Sequence, residues 1–285
     1  MKQLIINADD FGLTSGVNQA IVQLHDHGSL TSATLMARAT ATNEAIDLAH
    51  SRNSLGVGCH VVLLDGESVL SSHREIPRLA DPITGRFQPT LSGFLSNLYR
   101  HRLAHEIEAE TFAQITLLQS RGLHLTHIDT HKHTHMFPQV LRPVLRAARV
   151  AGIRRVRNPF EPAWSLAATP GAPLLRRTQV RLLHTLEPTF RRIVAEEGFT
   201  TTDGSIGVLA TGTLDSATIA SLLRVIPHGT WELVTHPGYN DADLAQAHTR
   251  LLASRNVELE ALKSVTFPYG IELTHFGQLD AAGAT

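Results

Sequence analysis

The stretch Leu4-Ile5-Ile6-Asn7-Ala8-Asp9-Asp10-Phe11-Gly12 is a short β-prone run that passes into an acidic turn, and a helical segment from about Ser15 to His27 follows it. Thr14 or Ser15 can accept from the free N–H groups at that helix start, and Gly28 can end the helix in a left-handed conformation. The same strand, loop and helix recur along the chain. Strands are expected at Ser32–Met36, Leu55–Leu63, His124–Thr130, Ile153–Val156, Ile206–Ala210 and Trp231–Thr235. Between them lie a helix after Thr42, a long amphipathic segment from about Ser92 to Gln119, and a helix that Pro138 opens and that runs to Val150. Further helices are expected near Leu174 to Glu196, after the capping Asp215, and from Asp241 to about Ser254. About seven such units imply an α/β fold, a closed or nearly closed TIM-like (β/α) barrel forming a single domain. A doubly wound sheet is the competing architecture. Against it, no Gly-x-Gly-x-x-Gly turn follows an expected strand, and Gly56-Val57-Gly58 lies inside one.

The 285 residues, 42% apolar and 18% charged, suit one domain with a substantial core. That domain is expected to span residues 1–277, with 278–285 a disordered tail that ends in small residues. Asp81 to Thr90 and Asn158 to Pro173 read as excursions from the barrel, where long loops often cover a site. Lysine and arginine total 25 against 26 acids, a formal charge of −1, so no global field draws the protein to nucleic acid. The single cysteine, Cys59, excludes an internal disulfide framework and fits a reducing compartment. Asp9-Asp10 arrives too early for a signal peptide, and no apolar run approaches the roughly 18 residues of a membrane span. The expectation is a cytoplasmic protein without a transmembrane segment, and a homodimer is left open.

The chain carries 17 histidines, and their placement is more informative than their number. His25, His27, His50, His101 and His105 lie in helix-like segments without acids at ligand spacing and read as solvated. By contrast, Asp9-Asp10, His60, the His127–His135 cluster and His236 all stand at the C-terminal ends of expected strands, which in a β/α barrel converge on one face. In His127-Ile128-Asp129-Thr130-His131-Lys132-His133-Thr134-His135 a ligating type recurs at every second residue. His127, Asp129 and His131 therefore share one strand face, with His133 and His135 continuing into the loop. Taken alone, Asp9-Asp10 would be a helix-capping loop and His60 a buried histidine bonded to backbone. Together with the cluster they read as a cation site. Gly58 leaves room in the barrel mouth beside His60, and Cys59, pointing the other way, reads as a core thiol. In Thr235-His236-Pro237-Gly238-Tyr239 a rigid turn fixes His236 for proton transfer, with Glu232, two pleats earlier, as an orienting partner. Phe160, Trp164 and Leu166 read as packing on the barrel wall rather than cradling an apolar ligand.

The segments Asn7-Ala8-Asp9-Asp10-Phe11-Gly12, Gly58-Cys59-His60, His127 through Pro138 and Thr235-His236-Pro237-Gly238 together resemble the YdjC family of carbohydrate deacetylases, which includes chitooligosaccharide deacetylases of the ChbG type. The likeness spans residues 2 to about 276. It implies a deformed β/α barrel, one divalent metal ion held by Asp10, His60 and His131, Asp9 as general base, and amide hydrolysis of N-acetylated sugars. Asp129, His133, His135, Glu232 and Phe11 would bind substrate or support the ligands. Lys132 stands where chitooligosaccharide-type members carry a histidine. Val61-Val62-Leu63-Leu64-Asp65-Gly66, Gly85-Arg86-Phe87 and Asn158-Pro159-Phe160-Glu161-Pro162 are also similar to the hopanoid-associated HpnK branch, although Thr130 departs from its small alanine.

The implied reaction needs a cation that polarises the acetamide and acidifies water, with His236 the candidate to protonate the departing amine. A carboxylate and two imidazoles favour zinc, whereas the family resemblance suggests magnesium. The competing expectations are a phosphoesterase or another metal amidohydrolase, which paired ions about 3.5 to 4 Å apart would mark, and a sugar-binding relative without turnover.

Overall fold

Leu4, Ile5, Ile6 and Ala8 are wholly buried, as expected of a parallel strand covered on both faces. This computed structural model describes residues 1–70 and 72–279. The strands are β1 (Lys2–Phe11), β2 (Ser32–Leu35), β3 (Gly56–Val61), β4 (Ile128–Thr130), β5 (Gly204–Ile206), β6 (Gly229–Thr235) and β7 (Ile271–Thr274). The helices are α1 (Ser15–His27), α2 (Thr42–His50), α3 (Leu91–Arg100), α4 (Ala104–Ser120), α5 (Pro138–Val150), α6 (Ala163–Ala168), α7 (Leu174–His184), α8 (Glu187–Glu196), α9 (Ser216–Val225), α10 (Ala242–Gln246) and α11 (Ala253–Lys263).

The strands form one parallel sheet in the order β4-β3-β2-β1-β6-β5. β7 pairs with Lys2–Ile5 on β1, and β2 pairs with β1 from Asn7 onward. The sheet curls but does not close fully into a barrel. Between β4 and β5 it is crossed only by single bridges, Ile128 to Val156 and Arg155 to Thr200. This is a barrel of the kind the strand–helix alternation implies, deformed as the family resemblance implies and left incomplete.

Local signals explain most boundaries. The Thr14 hydroxyl accepts from the Val17 amide at the start of α1, and Gly28 ends that helix at φ 84°. Asp215 caps α9 in the same way. Elsewhere the sequence-based boundaries shift. The expected helix over 92–119 is two helices, separated at residues 101–103 where Leu103 turns into the core. The helix expected over 174–196 also breaks in two. Pro188 lies in the first turn of α8, where its missing N–H costs nothing, whereas within a continuous helix it would clash with the preceding turn. The helix expected from Asp241 to Ser254 stops at Gln246, and α11 begins only at Ala253. The strand expected at Ile206–Ala210 falls at β5 because Gly207 turns away at φ 84°. Ile153–Val156 makes isolated bridges in place of a strand, and β7 was not anticipated. At the C-terminal end, Phe276–Gln278 form a 3-10 turn and Leu279 packs against Ile5 and Phe276, while 280–285 of the expected tail lie outside the described residues. Among the described residues, no helix is long and apolar enough to cross a membrane.

Candidate active site

Between Ala8 and Phe11 the register of β1 against β2 slips by one residue, a bulge with Asp10 at φ 65°. The extra residue lets adjacent carboxylates serve different partners at the sheet's C-terminal edge. His60 lies near the end of β3, opposite Asp129 on β4. His131 follows β4 directly, in a 3-10 segment whose next residues, Lys132 and His133, adopt φ 54° and 52°. Asp10 Oδ1 lies 3.5 Å from His60 Nε2 and 3.5 Å from His131 Nδ1, and the two ring nitrogens are 3.3 Å apart. A tetrahedron with bonds of about 2.1 Å has edges of about 3.4 Å, so these donors fit a first-row divalent ion. His60 Nδ1 donates to Asp129 Oδ1 at 2.8 Å, which turns Nε2 toward Asp10. The residues named from the sequence as ligands thus meet at one point, from three separate strand ends.

Sequence reasoning missed the two cations that hold this cluster together. Arg157, fully buried, donates through Nη2 and Nη1 to the two oxygens of Asp9 at 2.6 and 2.9 Å, and through Nε to Glu232 at 2.8 Å; it also pairs with Asp129. Arg255, likewise fully buried, donates to Asp10 Oδ2 and leaves Oδ1 for the histidines. An arginine just after an isolated bridge and another in the first turn of a helix carry no periodic signal that would mark them as interior. Asp9, His60 and Asp129 make a second cluster of donors, but Arg157 already neutralises both of its carboxylates, which disfavours a second cation there.

Burial opposes ionisation of Asp9 and Asp10, yet Arg157 and Arg255 outweigh it and hold both carboxyls well below the ordinary range. Burial also opposes the charged form of His60, but Asp129, Asp9 and Asp10 raise it to about 9. Desolvation pushes His236 down to about 4 against the pull of Asp9 and Asp10. His236 Nε2 lies 3.8 Å from Asp9 Oδ2. Its backbone N–H donates to Glu258 Oε2 at 2.6 Å, and its Nδ1 faces the same oxygen at 3.9 Å. Glu258 on α11 therefore occupies the place behind His236 that the sequence assigned to Glu232. Glu232 instead binds Arg157, because the two-residue strand period carries its side chain into the barrel interior. Gly238 brings the His236 turn against α11, where a Cβ would lie 3.0 Å from Arg255 Cδ.

Other expectations divide. Phe11 is wholly buried in the core, too deep to touch a substrate. His127 shares the inward face with Asp129 but stacks on Phe276 at 3.9 Å, away from the donor cluster. The space beside Gly58 belongs to that ring, which a Cβ would approach to 2.4 Å, and so does not open the mouth for His60. His135 is structural: Thr130 Oγ1 and the Arg157 carbonyl engage its two ring nitrogens. His133 is half-buried with Nδ1 unpartnered, and desolvation followed by Arg157 lowers it to about 3, leaving a neutral ring near the site. Lys132 reaches away to Asp65 at 2.6 Å. The Cys59 thiol is buried and raised by desolvation, in keeping with a core role. Phe160 and Leu166 are buried, and Trp164 meets Trp231 edge-on at 5.1 Å, so the 158–173 excursion packs on the barrel wall. His27, His50, His101 and His105 are exposed and His25 is half-buried.

Comparison with known proteins places this geometry. The sequence profile described as YdjC-like protein matches residues 3–272. The chain belongs to the YdjC-like family. A carbohydrate deacetylase of Brevibacillus brevis is 32% identical over 97% of this chain and 99% of its own length. A chitooligosaccharide deacetylase of Salmonella newport is 36% identical over 53% of this chain and 58% of its own. Among solved structures, an Enterococcus faecalis protein named for cellobiose-phosphate cleavage superposes with a TM-score of 0.70 at 26% identity, covering 92% of this chain and 91% of that one. Membership in the YdjC-like family and the Asp/His cluster together support a metal-dependent deacetylase of carbohydrate type.

Proposed function

We propose that the protein removes the acetyl group from an N-acetylated sugar, using one divalent cation held by Asp10, His60 and His131. The observation that carries this reading is the convergence of one carboxylate and two imidazole donors at 3.3–3.5 Å separations. Two nitrogens and one oxygen favour zinc, while magnesium, which prefers an oxygen shell, is the alternative that the family resemblance suggests. When bound, such an ion polarises the acetamide carbonyl and makes water acidic enough to lose a proton near neutral pH.

The chain's own groups then handle the proton. Arg157 holds Asp9 ionised and fixed, so Oδ2 is ready to accept the proton of the attacking water. An Asp9 so stabilised is a weak base, which makes the cation's help necessary. His236, kept neutral by burial and 3.8 Å from Asp9 Oδ2, would take that proton over from Asp9 and hand it to the departing nitrogen. The C–N bond breaks, acetate keeps the water oxygen, and the sugar amine gains the proton that the water lost. Glu258, raised to about 7 by burial, stands behind His236 as its orienting partner. His133 and Asp129 complete the surroundings, the first facing substrate and the second fixing His60.

The relatives' names support a carbohydrate amide as substrate. The sequence resemblances extend this to either a chitooligosaccharide or an N-acetylglucosaminyl hopanoid glycolipid. Purified protein should be supplied in turn with zinc and magnesium, and acetate release measured from chitobiose and from an acetylated glycolipid. Release is expected with one metal bound per chain, and Asp10→Asn should abolish it. Absence of acetate from every N-acetylglucosamine conjugate would overturn the reading in favour of a sugar-binding protein. Two bound ions would favour the phosphoesterase or amidohydrolase alternative.

A further inference from the structure

Helix α7 turns an apolar stripe outward, although its Leu183 packs against the core. Leu174, Leu175 and Leu182 are 82%, 72% and 69% exposed, while Arg176 and Arg177 bend inward and bind backbone carbonyls. On a 3.6-residue turn these leucines fall on one outward stripe, with Thr178 and Thr185 between them and Arg181 at its border. A soluble helix gains by burying such a stripe, and no described residue covers this one.

The charge around the stripe is equally one-sided. Residues 162–186 contain no aspartate or glutamate, whereas α7 carries Arg176, Arg177 and Arg181. Arg176 and Arg177 are held by carbonyls and not by a carboxylate bond, with Glu161 near enough to offset part of the Arg176 charge. Arg181 is exposed and has no partner among the described residues, and Arg250 adds its charge near Arg176. In a chain whose net charge is −1, this is a local cationic patch around an apolar stripe.

The position of the helix gives the patch a direction. Arg176 donates to the carbonyls of Val208 and Thr211, in the loop that leaves the C-terminal end of β5. Glu161, at the near end of the preceding excursion, accepts from the amides of Gly207 and Leu209 in that same loop. So α7 stands on the rim of the face where Asp10, His60 and His131 meet.

We propose that α7 is an interfacial docking helix that seats this face on an anionic phospholipid surface, with Leu174, Leu175 and Leu182 entering the headgroup region and Arg181 engaging lipid phosphates. The mouth would then face substrate presented at a membrane, a consequence that rests on the deacetylase reading although the docking itself does not. A single 11-residue helix gives reversible attachment rather than permanent anchoring.

The test is co-sedimentation of the full chain with vesicles of phosphatidylcholine alone and of phosphatidylcholine with phosphatidylglycerol. Binding is expected only to the anionic vesicles, weakening as salt rises. The triple variant Leu174→Ser, Leu175→Ser, Leu182→Ser should bind at least about tenfold less, and Arg181→Gln about fivefold less, since each interfacial cation is worth roughly that factor. Both variants should keep the wild-type circular dichroism spectrum and the wild-type rate on a soluble acetylated sugar. Wild-type protein left in the supernatant, equal binding to neutral vesicles, or undiminished binding by the triple variant would overturn the proposal. So would a dimer, without vesicle binding, that the triple variant converts to monomer, because the stripe would then belong to a second copy. Anionic-vesicle binding without acetate release from any sugar would support the docking face and count against deacetylation alone.

Discussion

Asp10 needs two unlike partners at once: Arg255 on Oδ2 and the two histidines on Oδ1. His60 is divided in the same way, since Asp129 takes Nδ1 and frees Nε2. Supporting partners of this kind set affinity for a cation almost as strongly as the ligands do. Asp129→Asn is therefore expected to weaken zinc binding by about ten- to hundredfold, measured by titration calorimetry against a competing chelator. Glu258 gives a second prediction, in which the sign follows from its raised pKa. The unfolded chain releases this proton near 4.5, whereas the folded protein keeps it to about 7, so its cost to folding grows as pH rises through that window and is constant above it. With metal chelated, the melting temperature of Glu258→Gln relative to wild type should climb from pH 4.5 to 7 and then level off. A flat difference across that range would show that burial does not hold the proton on Glu258. The proposed ligands Asp10, His60 and His131 were legible through the family likeness of their motifs, which stand at recognisable strand ends. Their counter-charges were not, since nothing local distinguishes Arg157 and Arg255 from surface arginines.

Among elements, the strands show why periodicity is a guide to face but not to depth. The two-residue period put His127 and Asp129 on one side correctly, yet only the packing of Phe276 shows that His127 lies under the site and not in it. The same packing explains Gly58, whose Cβ would press on the His127 ring. Gly58→Ala should cost about 1–3 kcal/mol in urea denaturation, because the stacked ring has no slack toward Phe276. Full stability in that variant would mean the ring moves freely. Helix boundaries were readable where a cap was chemical, as at Thr14, Gly28 and Asp215. Ser92–Gln119 breaks at Leu103 without a side-chain cap and so gives no local signal, whereas Pro188 does mark the break within Leu174–Glu196. α11 matters most for the site, since Arg255 and Glu258, three residues apart, reach Asp10 and His236 from the same face.

For the whole molecule, the strand–helix alternation sufficed to indicate a barrel, but it could not show where the ring fails to close. That seam runs through Arg155, Val156 and Thr200, each paired by a single bridge, whereas β1 is bonded along both edges. Arg157 ties the seam to Asp9 and Asp129 through buried charge, so the site and the weakest part of the ring share one residue. Amide exchange should be slowest at Ile5 to Asn7 and distinctly faster at Val156 and Thr200, with Arg157→Met accelerating the latter pair most. Equal protection across these positions would mean that the single bridges close the ring as firmly as the strands do.

The arrangement around β1 also bears on biosynthesis. Its neighbours include β6, Gly229–Thr235, and β7, Ile271–Thr274, which a ribosome delivers long after β1 itself has emerged. A nascent chain halted before β6 would carry an apolar β1 with one edge unsatisfied, and it would lack His236, Arg255 and Glu258 altogether. Completion of the sheet around β1 thus waits until β6 and β7 have been translated, and until then Leu4, Ile5 and Ile6 are a natural target for chaperones that capture exposed aliphatic segments.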